Sequence, residues 1–311
     1  MKGGIGDSFP PRVHTRSKLS DRVPTLPDMD TPFIGSEALA CGVLNRHRLR
    51  TRFQAICPGV YLARHVRPSL HDRIHAAWLW SHRQGIVCGL AAAALHGAKW
   101  IGEDVPVELV YANPRPPRGV KTRRDVLLDD EMHILDGLSE TTPARTVFDI
   151  GRRGKVDPAV ARLDALARAT GLKVTDVEAL AKRHSGAPGL RQLETVLDLV
   201  DAGAQSPKET WLRLLCIRSG FPQPQTQIPV LADDGLPVAY LDLGWVEWMV
   251  AVEYDGDQHR TDRWQYVKDI RRHEMLKRVG WIVIKVVAED HPADIIRRIR
   301  EAIDLRMSTV Q

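Results

Sequence analysis

The chain has 311 residues, enough for two compact domains, or two and a smaller accessory one. Its 43% hydrophobic and 27% charged residues exclude the composition of disordered chains; its longest uncharged run of apolar character, the 14 residues Gly85 to Ala98, falls short of the roughly 20 apolar residues a membrane span needs. Net charge is +5, and residues 1–75 hold twelve Lys and Arg against six Asp and Glu, so the surplus sits in the first quarter, where it can serve nucleic-acid contact.

Residues 1–31 carry Gly, Pro, Ser and charge without apolar periodicity and are expected to be a disordered leader. They contain no apolar segment of the secretory type, so a cytoplasmic location is expected. Cys41, Cys57, Cys88 and Cys216 are too scattered for a disulfide framework or a zinc pair and are expected as buried, reduced thiols.

Residues 32–68 predict a winged helix-turn-helix. Ser36–Gly42 is a short helix closed by glycine, Asn45 can cap a second helix through Arg52, and Phe53–Ala63 folds back at Pro58-Gly59. A small α/β domain follows over 69–150: His71–His96 is helical by composition with a break near Gly85, and Val105–Tyr111 alternates like a strand. Thr142-Pro143 opens a helix, Asp157-Pro158 another through Ala169, and Thr175–His184 and Gly189–Val200 add two more, so that residues 151–205 read as a helical connector. The last part, 206–311, holds a helix at Trp211–Ser219, a Pro/Gln segment at Phe221–Pro229, and apolar arms at Val238–Leu243 and Trp248–Tyr254. A helix at Asp262–Val279, a buried strand at Trp281–Val287 and a final helix at Pro292–Leu305 complete it. The fold class is mixed, multidomain α/β.

The two apolar arms carry the chemistry. A symmetric turn near residues 245–248 puts Asp242 opposite Glu253, with Cβ atoms roughly 5 Å apart. Asp255, two residues on, shares the face of Glu253. Acids so close in an apolar setting call for a positive partner. A hard divalent cation such as Mg²⁺, or Mn²⁺, takes carboxylate oxygens and keeps waters for phosphodiester hydrolysis. A solvated turn, or ion pairs to Arg260, Arg263 or Arg271, are the alternatives, and an arginine lodged between the acids would leave a binder instead of a hydrolase.

The string Glu253-Tyr-Asp-Gly-Asp-Gln-His259, followed by Asp269-x-x-Arg272, Leu276 and Gly280-Trp281-x-Val283-x-Lys285, resembles the restriction-endonuclease-like superfamily, in particular its group similar to very-short-patch repair endonucleases. Ser206-Pro-x-Glu209, Arg213, Gly220-x-Pro222-x-Pro224 and Gln227 resemble that group's opening helix and loop. The resemblance implies an αβββαβ domain over 206–311 with Asp242 and Glu253 as metal ligands and Asp255 as a third acid. It further implies Glu209 as the opening-helix acid and His259 as a phosphate or water contact. The superfamily's proline before the strand aspartate is Leu241 here, and its lysine two residues after the glutamate is Asp255. Lys268, Arg272 or Lys285 could supply that charge from neighbouring elements, and Lys285 is carried as a catalytic candidate. Glu209 is also the acid of a capping box with Ser206.

Arg46, Arg48, Arg50 and Arg52 make the second helix basic on several faces, suited to phosphate neutralisation and, where a side chain enters a groove, to guanine. With Pro58-Gly-Val-Tyr61, Gly89–Gly97 and Thr141–Asp149, residues 34–150 resemble the AbiEi-type antitoxins of type IV toxin–antitoxin systems, which implies promoter binding and a cognate toxin as a possible partner. The sequence is therefore read as a Mg²⁺-dependent DNA endonuclease of repair or phage-defence type. The alternative is a non-catalytic repressor or antitoxin with a degenerate nuclease fold.

Overall fold

The structure, a computed structural model, describes residues 30–232, 234–256 and 263–309. Nearly all of the expected leader, together with His259 and Arg260, lies outside these residues. Eleven α-helices and three sheets are present among the described residues, so the chain is a mixed, multidomain α/β protein. No described helix is long and apolar enough to cross a membrane.

The first sheet is built from β1 (Phe33–Ile34), β2 (Phe53–Cys57) and β3 (Val60–Ala63), in the order β1-β3-β2. Helices α1 (Gly35–Ala40) and α2 (Arg46–Arg52) pack on it through Phe33, Ala38, Leu44, Leu49 and Phe53. Asn45 caps α2 by accepting the backbone N–H of Arg48 at 2.8 Å, and Gly59 turns the hairpin with φ +77°. Gly35 has no room for a side chain, because a Cβ there would lie 2.5 Å from the Tyr61 ring.

The second sheet runs β6-β5-β4-β8-β7: β4 (Ile86–Cys88), β5 (Val107–Val110), β6 (Val120–Arg123), β7 (Met132–Leu135) and β8 (Leu138–Thr141). Helices α3 (Leu70–Trp80) and α4 (Gly89–Leu95) cover it through Ile74, Ala77, Ala91 and Ala92. The helical expectation for His71–His96 is corrected here. Ile86-Val87-Cys88 is the central strand between the two helices, because β-branched residues bounded by two glycines pair with β5 on one side and β8 on the other.

Helices α5 (Pro143–Gly151), α6 (Val156–Thr170), α7 (Val174–Arg183) and α8 (Leu190–Leu197) form one apolar cluster that also takes in Ala93 and Ala98 before them and Leu214 after them. The helical stretch is thus welded to both neighbours. Asp157 does not cap α6, which begins at Val156 behind Lys155; its carboxylate is instead used by Arg218 of the following domain. Of the cysteines, Cys57, Cys88 and Cys216 are buried, whereas Cys41 is exposed.

The C-terminal part has the order α9 (Pro207–Arg218), β9 (Gln225–Leu231), β10 (Pro237–Trp245), β11 (Val250–Tyr254), α10 (Arg263–Arg278), β12 (Ile282–Val286), α11 (Pro292–Thr309). Its sheet runs β12-β11-β10-β9, antiparallel except for the parallel β11–β12 pair that α10 connects. The Pro/Gln segment contains β9, a strand the sequence pattern did not disclose. Pro229 is tolerated there because β9 is the edge strand. Helix α9 starts four residues earlier than Trp211, at Pro207 behind its Ser206 cap. Buried Arg213 of α9 reaches Asp164 of α6 at 2.8 Å. That carboxylate also accepts the Thr210 hydroxyl and the Asp201 N–H, each at 2.8 Å. Burial nevertheless pushes the Asp164 carboxyl up, against the pull of Arg213.

Candidate functional site

The hairpin β10–β11 is paired Leu243↔Val252, Gly244↔Ala251 and Trp245↔Val250, and the paired register ends one residue short of Asp242 and Glu253. The backbone ladder stops there. Asp242 Oδ2 instead accepts the N–H of Tyr254 at 3.2 Å, a side chain finishing what the strand leaves open. Burial, then the nearby Glu209 and then Glu253, push the Asp242 carboxyl up to about 7. The Tyr254 N–H and Arg272 oppose that rise only in part. Among the described residues Asp242 has no ion-pair partner.

Glu253 is buried and its charge is matched. Arg272, from α10, donates to its two oxygens at 2.9 and 2.6 Å and also to the Tyr240 carbonyl at 2.7 Å. This is the ion pair weighed for the neighbouring arginines, made by the residue after Arg271. Arg272 bridges β10 and β11 but makes no hydrogen bond to Asp242 among those resolved.

Glu209 serves two ends. One oxygen accepts the Gln205 N–H at 2.8 Å and the other the Ser206 hydroxyl at 2.9 Å, so the carboxylate satisfies the backbone N–H one residue before the cap in place of the Ser206 N–H of the expected capping box, and its charge also acts on Asp242. Asp255 is exposed and pairs with Lys285 of β12 at 3.4 Å. Lys285 is the register partner of Glu253 across the parallel pair β11–β12, which brings a lysine from a different strand beside Asp255. Asp242 therefore feels the two glutamates Glu209 and Glu253, while Asp255, the third acid expected on this patch, is paired with Lys285 instead.

At the other end of the chain, α2 buries only Leu49. Arg46, Arg48, Arg50 and Arg52 are all exposed, and Arg64 of the hairpin side closes the C-terminus of α2 by donating to the carbonyls of Arg50 at 3.0 Å and Phe53 at 3.1 Å.

A third cluster was not legible in the sequence. His96, at the end of α4, meets His133 of β7 and Glu140 of β8, and a ligand atom of each lies within 4.8 Å of the others, so these three side chains could hold a metal ion. No other group of three metal-ligating side chains comes this close among the described residues. The available signal was Asp136-Gly137, a hairpin turn that pairs His133 with Glu140; the contribution of His96 depends on tertiary packing alone.

The chain is 26% identical over 253 residues, 79% of its own length and 90% of theirs, to the uncharacterized protein MT2308 of Mycobacterium tuberculosis (strain CDC 1551 / Oshkosh). The same figures hold for the uncharacterized protein Rv2248 of Mycobacterium tuberculosis (strain ATCC 25618 / H37Rv). No family model and no solved structure matches the chain.

Proposed function

We propose that this protein is a DNA-directed, Mg²⁺- or Mn²⁺-dependent phosphodiesterase. In this reading residues 206–311 are a restriction-endonuclease-like domain, and the α2 arginines with the β2–β3 hairpin form a winged helix that holds the duplex. The reading is supported by the element order αβββαβ with one parallel pair. A single observation carries it: Asp242, whose Oδ2 accepts the Tyr254 N–H at 3.2 Å, lies near the carboxylates of Glu209 and Glu253, and burial followed by those two charges pushes its carboxyl up to about 7. A divalent ion would take the Asp242 oxygens, supply an activated water and neutralise the leaving oxygen. Lys285, the register partner of Glu253 and paired with Asp255, would orient that water or stabilise the charged phosphate.

A second reading is favoured by one contact. Arg272 already satisfies both oxygens of Glu253, and this would suit a repressor or antitoxin-like DNA binder that has lost turnover. The readings separate when plasmid, mismatched and single-stranded DNA are incubated with Mg²⁺ or Mn²⁺. Cleavage that disappears in Asp242→Ala supports the hydrolase; retention of DNA in a mobility shift with no cleavage under either metal supports the binder.

A further inference from the structure

Glu140 lies on β8, between the central strand β4 and the edge strand β7 of the second sheet, with its side chain fully buried. No lysine or arginine pairs with it among the described residues, and its Oε2 is buried without a hydrogen-bond partner. A carboxylate in that setting is expensive unless a positive charge is supplied. Two imidazoles face it. His133 is its register partner on β7, which puts both side chains on one face of the hairpin, with His133 Nε2 at 3.0 Å from Glu140 Oε1. His96 comes from the end of α4, with Nδ1 at 3.4 Å from the same oxygen.

The tautomer of His96 gives direction to the cluster. Its Nε2 lies 2.8 Å from the carbonyl oxygen of Thr141, which can only accept, so Nε2 carries the proton. In the neutral ring Nδ1 then offers a lone pair toward a carboxylate oxygen, two electron-rich atoms face to face. That arrangement is unfavourable alone and suits a metal. A ligating histidine whose other N–H is anchored on a backbone carbonyl is the usual outer support of a metal centre. Ligand atoms on a four-coordinate zinc-class ion, at about 2.0–2.2 Å from it, stand about 3.3–3.6 Å from one another, and here Glu140 Oε1 lies 3.0 and 3.4 Å from the two imidazole nitrogens, with all three ligand atoms within 4.8 Å of one another.

We propose that His96, His133 and Glu140 bind a transition-metal ion of the zinc class, with two imidazole nitrogens and one carboxylate oxygen as ligands and a fourth, exchangeable position on the solvent side. The open side is marked by His133, whose side chain is 39% exposed while His96 and Glu140 are buried at 4% and 0%. A bidentate hold or a bound water would use Glu140 Oε2. The ion would clasp the edge hairpin β7–β8 to the end of α4. Mg²⁺, which prefers oxygen donors, fits this set poorly, so the site is chemically separate from the acidic one near Asp242.

The test is titration of chelator-stripped full-length protein with Co²⁺, read by the visible absorption of a low-coordinate cobalt site, followed by displacement with Zn²⁺. The expected result is one equivalent of the low-coordinate visible Co²⁺ signal per chain, at least about ten-fold weaker in His133→Ala and Glu140→Gln and unchanged in Asp242→Asn, whose acidic site would hold Co²⁺ without that signal. Because His133 is partly exposed, His133→Ala should fold, and its circular dichroism is the check. Absence of Co²⁺ and Zn²⁺ binding overturns the proposal, as does binding that is unaltered in His133→Ala or lost in Asp242→Asn.

Discussion

Arg272 and Glu253 form a two-point contact between helix α10 and strand β11, with both guanidinium–carboxylate bonds under 3 Å and the acid nearly buried. Such a fork is geometrically specific and satisfies the acid without a metal. Replacing Arg272 by alanine would strand Glu253. Stability should fall by about 1–3 kcal/mol, less than for a fully buried pair because Arg272 is partly solvated. If the site takes a divalent ion, millimolar Mg²⁺ or Mn²⁺ should return part of that loss in the variant and little in the parent. Urea unfolding with and without metal measures both, and equal metal responses in the two proteins would count against a cation at Glu253.

Asp242 gives the site a pH dependence of definite sign. Its carboxyl is raised from the usual range to about 7, so the folded state holds a proton that the unfolded chain has already released. Stability in the absence of metal should decline as pH rises from about 4 to about 7 and then level off. Asp242→Asn should remove that slope and be the more stable protein at pH 8, by roughly 1–2 kcal/mol after allowance for solvent screening. Divalent-metal affinity should move oppositely, rising through pH 7 as the ion displaces the proton. Thermal melts and calorimetry in buffers of different ionisation enthalpy would read the two effects.

The exposed arginines of α2 predict a salt signature. Neutralising Arg46, Arg48, Arg50 and Arg52 together should weaken duplex binding at low salt and reduce the slope of log affinity against log salt by about 0.9 for each phosphate contact removed. Folding should change by under about 0.5 kcal/mol per substitution, because all four side chains lie in solvent. Fluorescence anisotropy over a salt series tests this; an unchanged slope would move the DNA contact elsewhere.

Arg213 predicts the largest single loss of stability. It is fully buried against Asp164, and Arg213→Ala leaves that carboxylate with only the Thr210 hydroxyl and the Asp201 N–H. A penalty of about 3–5 kcal/mol at neutral pH is expected. The carboxyl is already pushed up by burial, so protonation at acid pH should shrink the deficit. Denaturation curves at pH 5 and pH 8 would show the difference.

The local rules written in the chain were sufficient for much of this protein. The Asn45 cap, the Pro58-Gly59 turn, the Thr142-Pro143 helix start and the hairpin that joins β10 to β11 all depend on neighbours within a few residues, or on a short turn, and their physical basis can be read one segment at a time. What the sequence could not decide was set by partners far along the chain. Ile86–Cys88 became a strand because two other strands flank it; β9 formed at an edge that only the finished sheet defines; Asp157 left its capping role for an arginine 61 residues away. The same holds for the sites. Which arginine closes on Glu253 depends on how α10 lies over the sheet, and the meeting of His96 with His133 and Glu140 depends on where α4 ends above β8, since hydrogen bonds and ion pairs respond to distance in space and not to separation in sequence.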